Sequence, residues 1–182
     1  MAKKLNDISK IFFDSNRQKV LRYLAKKSTQ YLMASEVVKS VNISKAGANI
    51  ALRQLVKSGF VTRSIKGRTH LYQADTRNCL IKQFKVLESV AGLYPLIEKI
   101  KNVSQQIILF GSAARGENLE DSDIDLFILT RAGDEIRAVI KKSDKSSKIK
   151  AVVKTPYSFA ELERKDSVFY QEITRGVTIF EQ

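Results

Sequence analysis

Apolar residues fall at two different spacings along this chain, and the spacings divide it into elements. From Asn16 to Lys27, Val20, Leu21, Tyr23 and Leu24 recur at helical intervals with Arg17, Lys19, Arg22 and Lys26 on the outer side. A second helix is expected over Ala34–Val41, with Val37, Val38 and Val41 inward. After the short Asn42-Ile43, Ser44 is placed to cap a third helix running to about Ser58. Ile50, Leu52, Leu55 and Val56 are expected to form its buried face, and Gly59 to end it in a left-handed conformation. The spacing then changes. Phe60–Ile65 and Thr69–Gln73 read as two strands around the turn Lys66-Gly67-Arg68.

The second part alternates helices and strands. Residues 76–102 read as a helical connector, with Leu80, Ile81, Phe84, Leu87 and Val90 at threes and fours, and Pro95 starting or kinking a further turn to Ile100. Gln106–Phe110 reads as a buried strand that stops at Gly111-Ser112, and Ser122–Leu129 as a second strand. A helix around Asp134–Lys142 leads to a strand at Lys148–Lys154. Pro156 opens another helix in its first turn. A last helix covers Asp166–Arg175, with Val168, Phe169 and Ile173 inward, and Gly176 ends it before Val177–Phe180. The fold class expected is mixed, α/β and α+β, in two domains at 1–78 and 79–182 with a short junction.

Charge sharpens this division. The 182 residues carry a net charge of +13, and 43% of them are hydrophobic, enough for a real core. Residues 1–82 hold 17 Lys and Arg against 4 Asp and Glu, whereas residues 83–182 hold 15 of each sign. The whole excess sits in the first part, as expected of a polyanion-binding module joined to a domain with another task. No apolar run is long enough to span a membrane, and the start Met1–Ile8 lacks the features of a secretory signal. The lone Cys79 excludes an internal disulfide. A cytoplasmic protein is the expectation. His70, the single histidine, has no partners for a metal site and reads as a packing or surface residue.

In the second part, Asp123 and Asp125 are two apart on an expected strand and so project from one face. Two like charges held together call for a cation or a strong donor, and hard oxygen ligands suit Mg²⁺ or Mn²⁺.

Two families resemble these segments. Leu52 to Tyr72, with Gly59 and then Gly67-Arg68, makes residues 10–75 resemble winged helix-turn-helix regulators: three helices plus a β-hairpin wing. That resemblance implies double-stranded DNA as partner. Ser44, Lys45, Asn49 and Arg53 would lie on or near the exposed face of the groove-reading helix, with Lys66 and Arg68 at the wing. A homodimer matching two half-sites is the default expectation.

The run Gly111-Ser112-Ala113-Ala114-Arg115-Gly116, followed by Ser122-Asp123-Ile124-Asp125-Leu126, resembles the minimal nucleotidyltransferases of the polymerase-beta-like superfamily over residues 85–182. A small mixed-sheet nucleotidyltransferase fold is implied. By that resemblance Gly111 lets backbone approach a nucleoside triphosphate, Ser112 donates to a phosphate oxygen, and Arg115 stabilises phosphate charge or braces the loop. Asp123 and Asp125 would be catalytic residues binding the metal, with the NTP as substrate or ligand.

One feature of the family pattern is missing. Active members place a third carboxylate on a later strand, and the matching Lys148–Lys154 contains no acid; Asp144 and Glu161 lie outside it. Alternation puts Lys148, Lys150, Val152 and Lys154 on one face. Two consequences stand open: slow transfer from a two-carboxylate site, or Lys150 neutralising the aspartates in place of a metal. Three functions follow. The first is a DNA-associated nucleotidyltransferase acting on a hydroxyl acceptor. The second is a transcriptional regulator using the domain as nucleotide sensor or dimerisation scaffold. The third, by family analogy, is an antitoxin that nucleotidylates a partner toxin.

Overall fold

A computed structural model describes residues 8–143 and 146–182. Residues 1–7, read above for a secretory signal, and the candidate acid Asp144 lie outside the described residues. Two compact units emerge, one ending at Glu88 and the other beginning at Ser89. The architecture is α+β, with helices and two separate sheets.

In the first unit, α1 (Ile8–Phe13) precedes α2 (Asn16–Lys26). Ser15 and Gln18 form a reciprocal capping box: the Ser15 hydroxyl accepts from the Gln18 amide, and Gln18 Oε1 accepts from the Ser15 amide at 3.1 Å. The two-residue β1 (Leu32–Met33) leads to α3 (Ala34–Val41), which ends in left-handed Asn42. α4 (Lys45–Lys57) starts at Ser44, whose hydroxyl accepts from the Gly47 amide at 3.0 Å. Gly59, at φ +71°, turns the chain out of α4 while the Phe60 amide donates back to the Leu55 carbonyl.

Next, β2 (Val61–Lys66) and β3 (Thr69–Ala74) form an antiparallel hairpin with Lys66 opposite Thr69, and β1 pairs with the outer side of β3. Gly67 takes φ +61°, the conformation a tight two-residue hairpin turn demands at its first central position. Val20, Leu24, Val37, Leu52, Leu55, Val61, Tyr72 and Ile81 make the core of this unit. Ile81 comes from α5 (Cys79–Ile100), whose first half is tied down further by Glu88, which accepts from Arg22 at 3.0 Å and Lys26 at 3.1 Å.

The second unit is a four-stranded sheet: β4 (Gln106–Phe110), β5 (Ile124–Leu129), β6 (Ile149–Lys154) and β7 (Val177–Glu181), in the order β6-β5-β4-β7. Only β5 and β6 run parallel. Their connection is α7 (Gly133–Lys141), the helical crossover that a parallel pair requires. α6 (Gly111–Ala114) is a single turn after β4, and α8 (Pro156–Lys165) and α9 (Ser167–Thr174) precede β7.

The period of two along the strands sends side chains to two cores. Ile107, Leu109, Leu126, Ile128 and Ile149 meet the second half of α5 and α7, while Ile108, Phe110 and Phe127 meet Phe159, Phe169 and Ile173 from α8 and α9. Both faces of the sheet are therefore covered, and Asp125 has the parity of Phe127, toward α8 and α9.

Several expectations change. Ile50 is 49% exposed and does not join the buried face of α4; Ala48 and Ala51 fill that place. Leu80 and Leu87 lie on the outer side of α5, and Val168 is exposed, so spacing alone overcounted the inward positions. Pro95 neither starts nor ends a helix, since α5 runs continuously through it. β5 begins at Ile124, which leaves Asp123 just ahead of the strand. Among the described residues, no helix is long and apolar enough to cross a membrane.

Candidate functional site

The site in the second unit forms where β4 stops. Gly111, at φ +68°, turns the backbone so closely over β5 that a Cβ there would stand 3.2 Å from the Asp125 Cγ and collide with its Oδ2. Both facts restrict the position to glycine, one through the backbone and one through the neighbouring carboxylate. Asp125 is opposite Phe110 on β4 and, on its other side, in register with Lys150 on β6. It is half-buried. Burial is the main cause that raises its pKa above the ordinary carboxylate range. The charges of Asp123 and Glu172 push the same way, and Lys150 and Arg115 oppose them.

Lys150 takes the decisive place. Its Nζ is 2.6 Å from Asp123 Oδ2, and that hydrogen-bonded pair, together with the charge of Asp125, raises the lysine pKa. Register explains the contact: on a parallel pair the residue beside Asp125 projects on the same face, so the Lys150 ammonium stands next to the aspartate pair. Glu161 is not a substitute. It accepts from Lys165 at 2.8 Å, one turn along α8.

Arg115 donates from Nε to Glu117 at 2.9 Å and lies 4.0 Å from Glu172 on α9. Glu172 thus joins the electrostatic surroundings of Asp125 from far along the chain. Its spacing to the aspartates carries no sequence signal, because the packing of α9 on β4 brings it in.

Ser112 sits beside Gly111 in the single turn of α6, half-buried. Gly111, Ser112, Arg115, Asp123 and Asp125 all gather at this end of the sheet. Two carboxylates, one already bonded to an ammonium, are nevertheless a poor donor set for Mg²⁺ or Mn²⁺. Among the described residues, no group of three His, Cys, Asp or Glu side chains is arranged to hold a metal ion. The residues present do not fit a resident divalent cation.

In the first unit the residues singled out for nucleic acid occupy two places. Lys45 and Arg53 are exposed on α4 and Asn49 is half-buried there. Ser44 is exposed, with its hydroxyl engaged as the cap of α4. Lys66 and Arg68 are exposed at the tip of the β2–β3 hairpin. Among the described residues, Lys45, Arg53, Lys66 and Arg68 form no ion pair. Ile50 shares the exposed side of α4 with them.

Comparison with known proteins adds to this picture. Residues 95–182, within the second unit, match the model of the family described as "Polymerase beta, Nucleotidyltransferase". The curated proteins give no match. A solved structure, "Crystal Structure of IclR Family Transcriptional Regulator from Brucella abortus", aligns at 13% identity and a TM-score of 0.36 over 88% of this chain. The alignment spans 62% of that regulator's chain, which makes it a distant likeness.

Proposed function

We propose that the protein is a DNA-binding transcriptional regulator. Its C-terminal nucleotidyltransferase-type domain has lost most or all of its transfer chemistry and serves as a nucleotide sensor or scaffold. The observation that carries this reading is the Lys150–Asp123 ion pair beside Asp125. Exchanging a carboxylate for an ammonium changes the local charge by two units. An ammonium in that place repels a dication instead of ligating it. The pair itself is held weakly, because solvent screens a lysine this exposed. Its consequence is the repulsion of a dication, which applies wherever the ammonium moves within the site.

The first unit supports the DNA half. Its elements fit a winged helix: α4 follows α3 closely enough to enter a major groove, and the basic hairpin tip reaches backbone phosphates. The unpaired cations on both elements supply the sequence-independent attraction. A second reading, a DNA-tethered nucleotidyltransferase, draws support from the tight approach of Gly111 to Asp125 and from the family model.

The readings separate in two assays on the full chain. Incubation with α-³²P-labelled NTP and Mg²⁺ is expected to leave the protein and candidate acceptors unlabelled; transfer abolished by Asp123→Ala with Asp125→Ala would establish the enzyme instead. Duplex DNA binding is expected to weaken steeply with salt, and Arg53→Ala to cost about tenfold in affinity. Binding indifferent to both would remove the DNA half.

A further inference from the structure

α4 turns Ala48, Ala51, Leu52 and Leu55 into the core of the first unit. Its opposite side carries Lys45, Ala46, Asn49, Ile50, Arg53, Gln54 and Lys57. Ile50 stands midway along that side at 49% exposure, and Ala46, one turn earlier, is exposed too. The result is a short apolar strip with Arg53 and Gln54 one turn on from Ile50, and Lys45 and Asn49 further round the same side.

A single exposed apolar residue is ordinary on a protein surface. The position of this one is not. It lies on a face otherwise built from cations, two amides and alanine, and a β-branched side chain gains nothing there from helix propensity. The unit also carries the chain's whole positive excess, which selects a polyanion over an apolar protein groove as occupant.

A major groove offers one apolar group among its polar edges, the 5-methyl of thymine. Arg and Lys suit guanine and Asn suits adenine, so an isoleucine between them completes a face able to discriminate thymine. Resting on the DNA-binding reading above, we infer that Ile50 is a specificity-determining residue that packs on a thymine methyl in the bound duplex, with Ala46 keeping the adjoining surface shallow enough for the approach.

The test uses the full chain. Duplexes are selected from a random pool by the wild-type protein, and each thymine of the selected duplex is then replaced singly by deoxyuridine, which removes only the methyl. At one position per half-site the replacement is expected to weaken wild-type binding roughly fourfold, the worth of one buried methyl. Ile50→Ala is expected to be indifferent to that replacement and Ile50→Val to keep the sensitivity, with both variants melting at the wild-type temperature. Identical deoxyuridine profiles for wild type and Ile50→Ala would overturn the inference and leave DNA binding intact. A change in sedimentation on Ile50→Ala, with the profile unaltered, would also overturn it and reassign the residue to contact between copies. Failure to select any duplex would remove the DNA-binding reading itself, and the inference with it.

Discussion

The two units handle charge in opposite ways. In the first, cations outnumber acids by 17 to 4 over residues 1–82, and those on α4 and the hairpin tip form no ion pair among the described residues. In the second, charges are balanced and the important ones are engaged: Lys150 with Asp123, Arg115 with Glu117 and Glu172, Lys165 with Glu161. An unpaired, solvated cation retains its attraction for a distant polyanion, whereas a paired one has a local task. The first surface is suited to attracting a polyanion. The second is a site turned inward on its own charges.

The largest effect expected is at Lys150. Replacing it by Asp places a carboxylate beside Asp125, and the two-unit change in charge, reduced by solvent screening, is expected to raise divalent affinity by about one to two orders of magnitude. Mn²⁺ titration followed by electron paramagnetic resonance is expected to show tight binding only in Lys150→Asp. Equal binding by the wild type would break the contrast, since an ammonium there would then be no obstacle.

Glycines sharpen it next. Gly67 and Gly111 both adopt positive φ, but a Cβ at Gly67 meets open space while one at Gly111 strikes Asp125. Gly67→Ala is expected to cost about 1 kcal/mol, and Gly111→Ala about 2–3 kcal/mol because a steric term is added to the backbone strain. Chemical denaturation of the two variants measures the difference; equal costs would mean that Asp125 yields freely.

The smallest effect concerns pH. Asp125 has its pKa raised, chiefly by burial, so the folded state holds its proton to a higher pH than the unfolded chain does. Its contribution is favourable below the unfolded pKa and is lost as pH rises through the folded one. Asp125→Asn removes that loss. The variant is expected to melt above the wild type at pH 7, with the gap closing toward pH 4; a constant gap would show that some other group carries the effect.

Much of this was legible in the residues themselves. Ser44 and Pro156 stand where helices start, Gly59 and Gly67 where the chain must take a left-handed turn, and Gly111-Ser112 with Asp123 and Asp125 where the second unit gathers its polar groups. Such signals are local: a cap, a positive φ and a period of two each act within a few residues. Ile50 and Val168 were misplaced for the same reason. Helical spacing marks a stripe, but a short helix packed on one side leaves the stripe's edges in solvent, and only the neighbouring element decides which edge is covered.

The amino-acid order alone determined the segregation of charge, the punctuation of the helices and the presence of an aspartate pair without a third acid on the following strand. What that lysine-bearing strand does to the pair was decided by tertiary structure. Parallel pairing of β5 with β6 set Lys150 beside Asp125 and within reach of Asp123, and the packing of α9 brought in Glu172 from nearly fifty residues further along the chain. Coulomb energy depends on distance in space, and no pattern along a chain contains that distance until the strands have chosen their register.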